Sequence, residues 1–264
     1  MVNWTEMDQR IKTWIMEAGS SIRESFKHSL SIHTKSNPND LVTNIDKETE
    51  RFFIANIRKV YPGHRILGEE GQGDDLASLK GIVWIIDPID GTTNFIHQQR
   101  HFAISIGVYE NGVGRLGYIY DVAHDELYYA ERGKGAYMNG VRLPSLTEVS
   151  VEKALIALNA TWLVKNRYFD ERKLVNLAVQ VRGTRSYGSA ALELAYVAAG
   201  RLDGYLSMRL SPWDFAAGKL LVEEAGGCVT NLFGEDLNMI KINSVFAGAP
   251  ILHGRILDEF LLKD

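Results

Sequence analysis

The sequence predicts an α+β protein folded as a layered α/β/α/β sandwich whose first sheet is mostly antiparallel. Three features of the 264 residues carry that prediction. Up to Tyr61, apolar residues recur at steps of three and four, the spacing of helices with one buried stripe. The middle of the chain holds β-branched and aromatic runs separated by turn residues, the pattern of an antiparallel meander. After Pro144, strand-like and helix-like runs alternate, which implies a sheet with helices on its faces. A boundary near residue 145 separates an N-terminal half, 1–145, from a C-terminal half, 146–264. No linker there is long enough to make the halves independent domains.

In chain order, Trp4, Met7, Ile11, Ile15, Ala18, Ile22 and Phe26 mark a first helix over Trp4 to Phe26. "SNPND" (36–40) reads as a polar loop, and a second helix runs from Ile45 to Val60, where "YPGH" stops it. "GEEGQGDD" follows as a flexible acidic surface loop. The strand runs are "IVWII", "FAISIGVY", "RLGYIY" and "ELYYAER", parted by "ENGVG" and "DVAHDE". "KGAYMNGVRL" adds a hairpin about Asn139-Gly140. In the second half "KALIALN" is a strand, Arg167 to Val179 a helix, "GSAALELAYVAAG" a helix and "LDGYLSM" a strand. "WDFAAGKLLVEEAGG" is a helix ended by Gly226-Gly227. "CVTNL", "VFAGA" and a helix from Ile251 close the chain.

Composition narrows the function classes. Net charge is −4, from 29 Lys+Arg against 33 Asp+Glu, and no basic tract has nucleic-acid-binding density. Direct nucleic-acid binding is therefore not expected. Cys228 is the only cysteine, which excludes an intramolecular disulfide and a Cys-ligated zinc. The N-terminal segment is amphipathic and of mixed charge, unlike a signal peptide, and no apolar run is long enough to span a bilayer. A cytoplasmic protein with no membrane partner is the expectation.

"WIIDPIDGTTNF", Trp84 to Phe95, aims two carboxylates at one place behind an apolar strand. Carboxylates at i and i+3 of a tight turn converge, and unassisted they would repel and raise each other's pKa. A hard divalent cation resolves the conflict, since Mg²⁺ takes oxygen ligands. "DPID" alone also fits a solvated Asp-Pro turn. "GTT" beside it adds a close backbone approach at Gly91 and consecutive N–H groups suited to an anion. Further acids are Glu69 and Glu70 in "ILGEEG", Asp214 in "SPWDFAAG", and Asp46 in capping-box spacing with Thr43. Each alone has a structural explanation, Asp214 as a helix cap. His97 and His101 stand four apart, but an oxygen-ligand site leaves little for them to do.

Together these segments resemble the inositol monophosphatase family of metal-dependent sugar-phosphate phosphatases. The resemblance runs from "KSNPNDLVTNID" through "GEEG" and "WIIDPIDGTTNF" to "GSAALELAYVAAGRLDGY" and "PWDFAAGKLLVEEAGG". It implies the fold of that family and of the fructose-1,6-bisphosphatases, Mg²⁺ as cofactor, lithium sensitivity and a homodimer. It assigns Glu69, Asp87, the Ile89 carbonyl, Asp90 and Asp214 to the metal, Glu69 in preference to Glu70. It gives Gly91 and Thr92 to the phosphate, has Asp46 orient Thr92 and its water, and sets Lys35 in a nearby loop. Gly188, Ser189 and Ala190 match the segment lining the substrate pocket, with Arg185 just upstream. Glu69, Ile89, Asp90 and Asp214 border the substrate as well. The implied reaction is hydrolysis of a small polyol or sugar phosphate monoester, above all inositol 1-monophosphate, by metal-activated water and without a phosphoenzyme.

Alternatives stay open. Fructose 1,6-bisphosphate and the 2′-phosphate of NADP present similar monoesters. Haloacid-dehalogenase-like phosphatases also place aspartates after a strand, but two apart rather than three. A third reading is an interaction partner of the transcription or translation machinery with catalysis secondary. One position departs from the resemblance: Ser207 stands in "DGYLSMRLSPWD" where inositol-preferring relatives commonly have glutamate. Losing a charged acceptor would forfeit about 1.5–3 kcal/mol of polyol binding. Arg209, on the same side of a strand, could instead meet a second phosphate.

Overall fold

The computed structural model describes residues 2–28, 30–34 and 41–263. Helix α1 (Trp4–Ser25) begins at Asn3, whose side chain accepts from the Glu6 amide. It buries Met7, Ile11, Ile15 and Ile22 completely. A short hairpin of β1 (Ile32–Thr34) and β2 (Leu41–Thr43) leads into α2 (Asn44–Val60). α2 carries the expected capping box: the Thr43 amide donates to Asp46 Oδ2 (2.9 Å) and the Asp46 amide to Thr43 Oγ1 (3.4 Å).

The first sheet has seven strands in the order β3 (Arg65–Gly68), β4 (Ile82–Asp90), β5 (Ala103–Glu110), β6 (Val113–Asp121), β7 (Glu126–Glu131), β8 (Gly135–Met138) and β9 (Val141–Arg142). Only β3 and β4 pair parallel; the rest form the expected meander. Asn139 and Gly140 both have positive φ (48° and 84°), the left-handed geometry of a tight hairpin turn. A short α3 (Thr92–Gln98) joins β4 to β5. Strand β4 is buried on both faces, so it reads as a continuous apolar run. Trp84 and Ile86 pack among the α1 and α2 side chains, and Val83 and Ile85 pack on the opposite face. Each such side chain contributes roughly 1.5–3 kcal/mol when fully buried.

The second sheet has five strands, named here with the helices between them. They are β10 (Leu155–Leu158), α4 (Glu171–Gln180), β11 (Gly183–Arg185), α5 (Ala190–Ala198), β12 (Gly204–Leu210), α6 (Pro212–Glu224), β13 (Cys228–Thr230), β14 (Asn243–Gly248) and α7 (Pro250–Ile256). The sheet order is β11-β10-β12-β14-β13, with β10 parallel to both neighbours. All nine residues of α5 are buried, because this helix lies with α6 in one core cluster that takes side chains from both sheets. α4 and α7 cover the outer face of the second sheet through Leu174, Leu177, Leu252 and Ile256. The expected α/β/α/β sandwich is thus present, and this outer helical pair adds a further layer. Among the described residues no helix is long and apolar enough to cross a membrane.

Three local expectations differ from the structure. The connection between α1 and α2 is not only polar loop, since β1 and β2 pair there; "SNPND" and Lys35 lie outside the described residues. The helix expected from Arg167 begins at Glu171, because Asn166 Oδ1 accepts from the Tyr168 and Phe169 amides and Asp170 then caps the Arg172 amide. The acidic loop after β3 is tied down. The buried Glu50 of α2 accepts from the Glu70 (2.9 Å) and Gln72 (3.1 Å) amides, and Asp74 accepts from the Ile66 amide (2.8 Å).

Candidate active site

Asp87 and Asp90 sit at the end of β4, and an odd separation along a regular strand would point them to opposite faces. The register against β5 removes that problem. Asp87 pairs with Ser105 and Asp90 with Ala103, so three steps on β4 match two on β5. This bulge inserts one residue, reverses the alternation and turns both carboxylates to the same side. The convergence expected of a tight turn is achieved by an irregular but continuous strand. The Asp87 carboxylate braces the bulge by accepting from the Ile89 amide (3.0 Å).

Asp214 arrives from α6, where Pro212 at the first turn suits a helix start. It stands at the third helical position and accepts from the Ser211 amide (2.7 Å), so it caps α6 and faces the site at once. Carboxylate oxygens of Asp87, Asp90 and Asp214 lie within 4.8 Å of one another. Glu69 lies close enough to Asp87 for its carboxylate to act on that of Asp87. Burial raises Asp87 well above the ordinary carboxylate value, and the charges of Glu69, Asp90 and Asp214 raise it further. Burial likewise raises Asp90 to about 6, although hydrogen bonds from Ser189 and Ala191 oppose the shift. Crowded, buried oxygen donors are the donor set a hard divalent cation takes.

Beside this cluster Asp46 is fully buried at the start of α2. Its Oδ1 is 3.1 Å from the Thr92 hydroxyl, and its Oδ2 is 2.5 Å from that of Thr43. The Ile89 carbonyl oxygen is also 3.1 Å from Thr92 Oγ1. Gly91 has φ 89°, and a Cβ there would come within 3.0 Å of the His101 carbonyl oxygen and 3.2 Å of that of Gly188. Glycine thus admits both the turn and the close approach of the second half. The Ser189 hydroxyl and the Ala191 amide both donate to Asp90 Oδ2 across that junction. A cleft of about 270 Å³ opens here, bordered by Asp90, Asp214, Gly188, Ser189, Ala190 and Ser207.

A family model described as the inositol monophosphatase family matches residues 3–262. The chain belongs to the inositol monophosphatase family. The inositol-1-monophosphatase of Bacillus subtilis (strain 168) is 61% identical over 99% of this chain and 98% of that one. The Nus factor SuhB of Escherichia coli (strain K12) is 41% identical over 89% of this chain and 88% of its own. The crystal structure of inositol monophosphatase-II from Staphylococcus aureus MSSA476 superposes with TM-score 0.89 at 41% identity, covering 97% of this chain and 94% of that one. Membership in this family leaves no place for the dehalogenase-like reading.

Against the family pattern read from the sequence, the structure brings together Glu69, Asp87, Ile89, Asp90, Gly91, Thr92, Asp46, Asp214, Gly188, Ser189, Ala190 and Ser207. Arg185 is not among the residues bordering the cleft: it is exposed on the edge strand β11, its guanidinium bonded to the Thr184 carbonyl (2.8 Å). His97 and His101 are not part of the acidic cluster. Cys228 starts β13 and is half-buried.

Some participants were missed. Glu50 pins the loop that carries Glu69, and Glu193 borders the cleft with burial raising its carboxyl to about 7. Glu50 could have been found as an acid on the buried stripe of amphipathic α2, and Glu193 as the one acid in the strongly apolar α5. Trp162, Asn159 and Tyr205, which also border the cleft, gave no such warning.

Proposed function

We propose that the protein is a Mg²⁺-dependent phosphatase that hydrolyses phosphate monoesters of small polyols, with inositol 1-monophosphate as substrate. The observation that carries the reading is the convergence of Asp87, Asp90 and Asp214 carboxylates within 4.8 Å beside the Thr92–Asp46 pair. Glu69, Asp87, the Ile89 carbonyl, Asp90 and Asp214 would hold Mg²⁺. When bound, the metal supplies Lewis-acid stabilisation of phosphoryl charge and acidifies water.

The chain's own groups do the rest. Asp46 accepts the Thr92 proton, leaving Thr92 Oγ1 as an acceptor that orients an incoming water for in-line attack. Glu69, beside it, takes the water's proton. Gly91 and Thr92 present backbone N–H groups to the phosphate, and Gly188, Ser189, Ala190 and Ser207 border the alcohol. Arg209, exposed at the cleft, supports tolerance of a second phosphate, as in fructose 1,6-bisphosphate or NADP. The same reading makes the protein a cytoplasmic homodimer; light scattering of the purified protein tests the dimer. The test of activity is phosphate release with Mg²⁺ from inositol 1-phosphate, a glycerol phosphate, fructose 1,6-bisphosphate and NADP. No release from any of them overturns the reading.

Metal binding should register in stability. A carboxyl raised on folding stabilises the protein fully below its unfolded value near 3.8, and loses that contribution as pH rises through its folded value of about 6 for Asp90. Metal-free protein should therefore lose stability from these acids between those values. Mg²⁺ at about 100 times its Kd should add about 2.7 kcal/mol, roughly 5–10 °C in Tm. The gain should be larger near pH 8 than near pH 5, by thermal denaturation with Mg²⁺ against a chelator. Equal gains at both pH values would separate the metal from these carboxylates.

Lithium should inhibit, because the full set of acids is present and a monovalent ion can compete at a weakly held position. Raising Mg²⁺ should change the Li⁺ concentration that halves activity; complete insensitivity argues against the assigned ligand set. A second reading, an interaction partner of the transcription or translation machinery, is favoured by the resemblance to a protein named Nus factor SuhB. Complementation with a catalytically dead variant separates the two roles.

A further inference from the structure

One turn after Asp46, α2 carries a second buried acid that has no part in the chemical steps. Glu50 follows Asp46 by four residues, so the two share a helix face. Asp46 turns to the Thr92 hydroxyl (3.1 Å), and Glu50, fully buried, turns to the loop after β3. Glu50 Oε1 accepts from the Glu70 amide (2.9 Å) and Oε2 from the Gln72 amide (3.1 Å). The same turn of α2 takes the loop twice more. Gln72 Nε2 donates to the Lys47 carbonyl (3.2 Å), and Gln72 Oε1 accepts from Arg51 Nε (3.0 Å).

Glu69 lies inside this clamp. On its N-terminal side, Gly68 lets the Glu50 carboxylate come against the backbone, where a Cβ would overlap Glu50 Oε1. On its C-terminal side is the bonded Glu70 amide. Its own amide donates to the Ile86 carbonyl (3.2 Å) of β4, the strand that carries Asp87 and Asp90. Burying a carboxylate is costly unless hydrogen bonds compensate, and here the compensating donors belong to the loop that bears Glu69. The same helix fixes Thr92 through Asp46. One rigid element thus sets the spacing between the group that orients the water and the group that takes its proton.

We propose that Glu50 is a positioning residue that holds the backbone on either side of Glu69, so that α2 places Glu69 and Thr92 relative to each other. The inference rests on the phosphatase reading and deepens it by naming what aligns its two water-handling groups.

The test measures kcat and KM for inositol 1-phosphate at saturating Mg²⁺, and amide hydrogen exchange at Glu70 and Gln72 by NMR in chelator. Glu50→Gln keeps the size of the side chain, but its Nε2 faces an amide donor, so one of the two bonds is lost. Exchange at Glu70 or Gln72 should quicken about tenfold or more, because the loop opens more readily. Turnover should fall about 10- to 100-fold, the scale of a misplaced catalytic group, with KM changed less than about twofold. Gly68→Ala should lower kcat in the same way with the Glu50 charge retained, which separates position from charge. Its methyl displaces only the flexible end of the Glu50 side chain, so it decides the matter even if Glu50→Gln folds poorly. In Glu69→Gln protein, Glu50→Gln should cost no further turnover, because Glu50 acts through Glu69. Unchanged exchange in Glu50→Gln, a loss that multiplies with Glu69→Gln, a loss confined to KM, or wild-type kcat in Gly68→Ala would overturn the role of Glu50 alone. Wild type that releases no phosphate overturns the phosphatase reading with it.

Discussion

Asp90→Asn is expected to lower kcat/KM roughly 100- to 1000-fold at subsaturating Mg²⁺ while leaving the protein folded. The substitution keeps the size of the side chain, and its Oδ1 can still accept from Ser189 and Ala191, the donors that Asp90 now satisfies. What disappears is one negative charge from a group of carboxylates within 4.8 Å of one another. A bound cation loses that attraction, and several kcal/mol of transition-state charge stabilisation depend on it. Without metal the same change relieves like-charge repulsion, so Tm in chelator should stay level or rise. Isothermal titration with Mg²⁺, alongside turnover, checks both halves. Wild-type activity together with wild-type Mg²⁺ affinity would remove Asp90 from the site.

Gly117→Val should damage the metal site from a distance. Gly117 on β6 pairs with Gly107 on β5, and these adjacent glycines form a flat patch that receives α6. A Cβ on Gly117 would fall 2.9 Å from the Ala217 carbonyl oxygen, and one on Gly107 would fall 3.1 Å from the Ala216 Cβ. The Tyr109 hydroxyl anchors the same turn by donating to the Ala216 carbonyl (2.8 Å). Valine suits a strand better than glycine, which works in the variant's favour. The contact is with helix backbone, however, which cannot step aside as a flexible side chain would. Overpacking of this kind costs about 1–3 kcal/mol, or roughly 3–10 °C in Tm. Moving α6 also moves Asp214 away from Asp87 and Asp90, so half-saturation by Mg²⁺ should shift upward as Tm falls. A lower Tm with unchanged Mg²⁺ affinity would show that the helix start holds its position independently.

Most of the architecture was legible in the linear order of residues. Apolar spacing marks α1 and α2, alternation and turn residues mark the meander, and "KALIALN" onward alternates as the second sheet does. The acids of the cluster were visible in "GEEG", "DPID" and "PWD", although each alone also fits an ordinary strand end or helix cap. Local signals failed where partners are distant. Arg167 begins a helical pattern, yet the Asn166 side chain captures the amides that follow, so α4 starts late. Arg185 lies close in sequence to Gly188 but on an exposed strand edge, because alternation and edge position decide where a side chain goes.

What the sequence by itself determined is the chemistry available: oxygen donors, a threonine, a glycine turn and an amphipathic frame to carry them. Which donors act together was decided only by tertiary structure. The bulge that turns Asp87 and Asp90 to one side exists in the pairing of β4 with β5. Asp214 reaches them because paired glycines let α6 lie close to the first sheet. Periodicity is a property of neighbouring residues and can be read along the chain. Strand register, helix approach and hydrogen-bond direction are properties of pairs that meet only on folding.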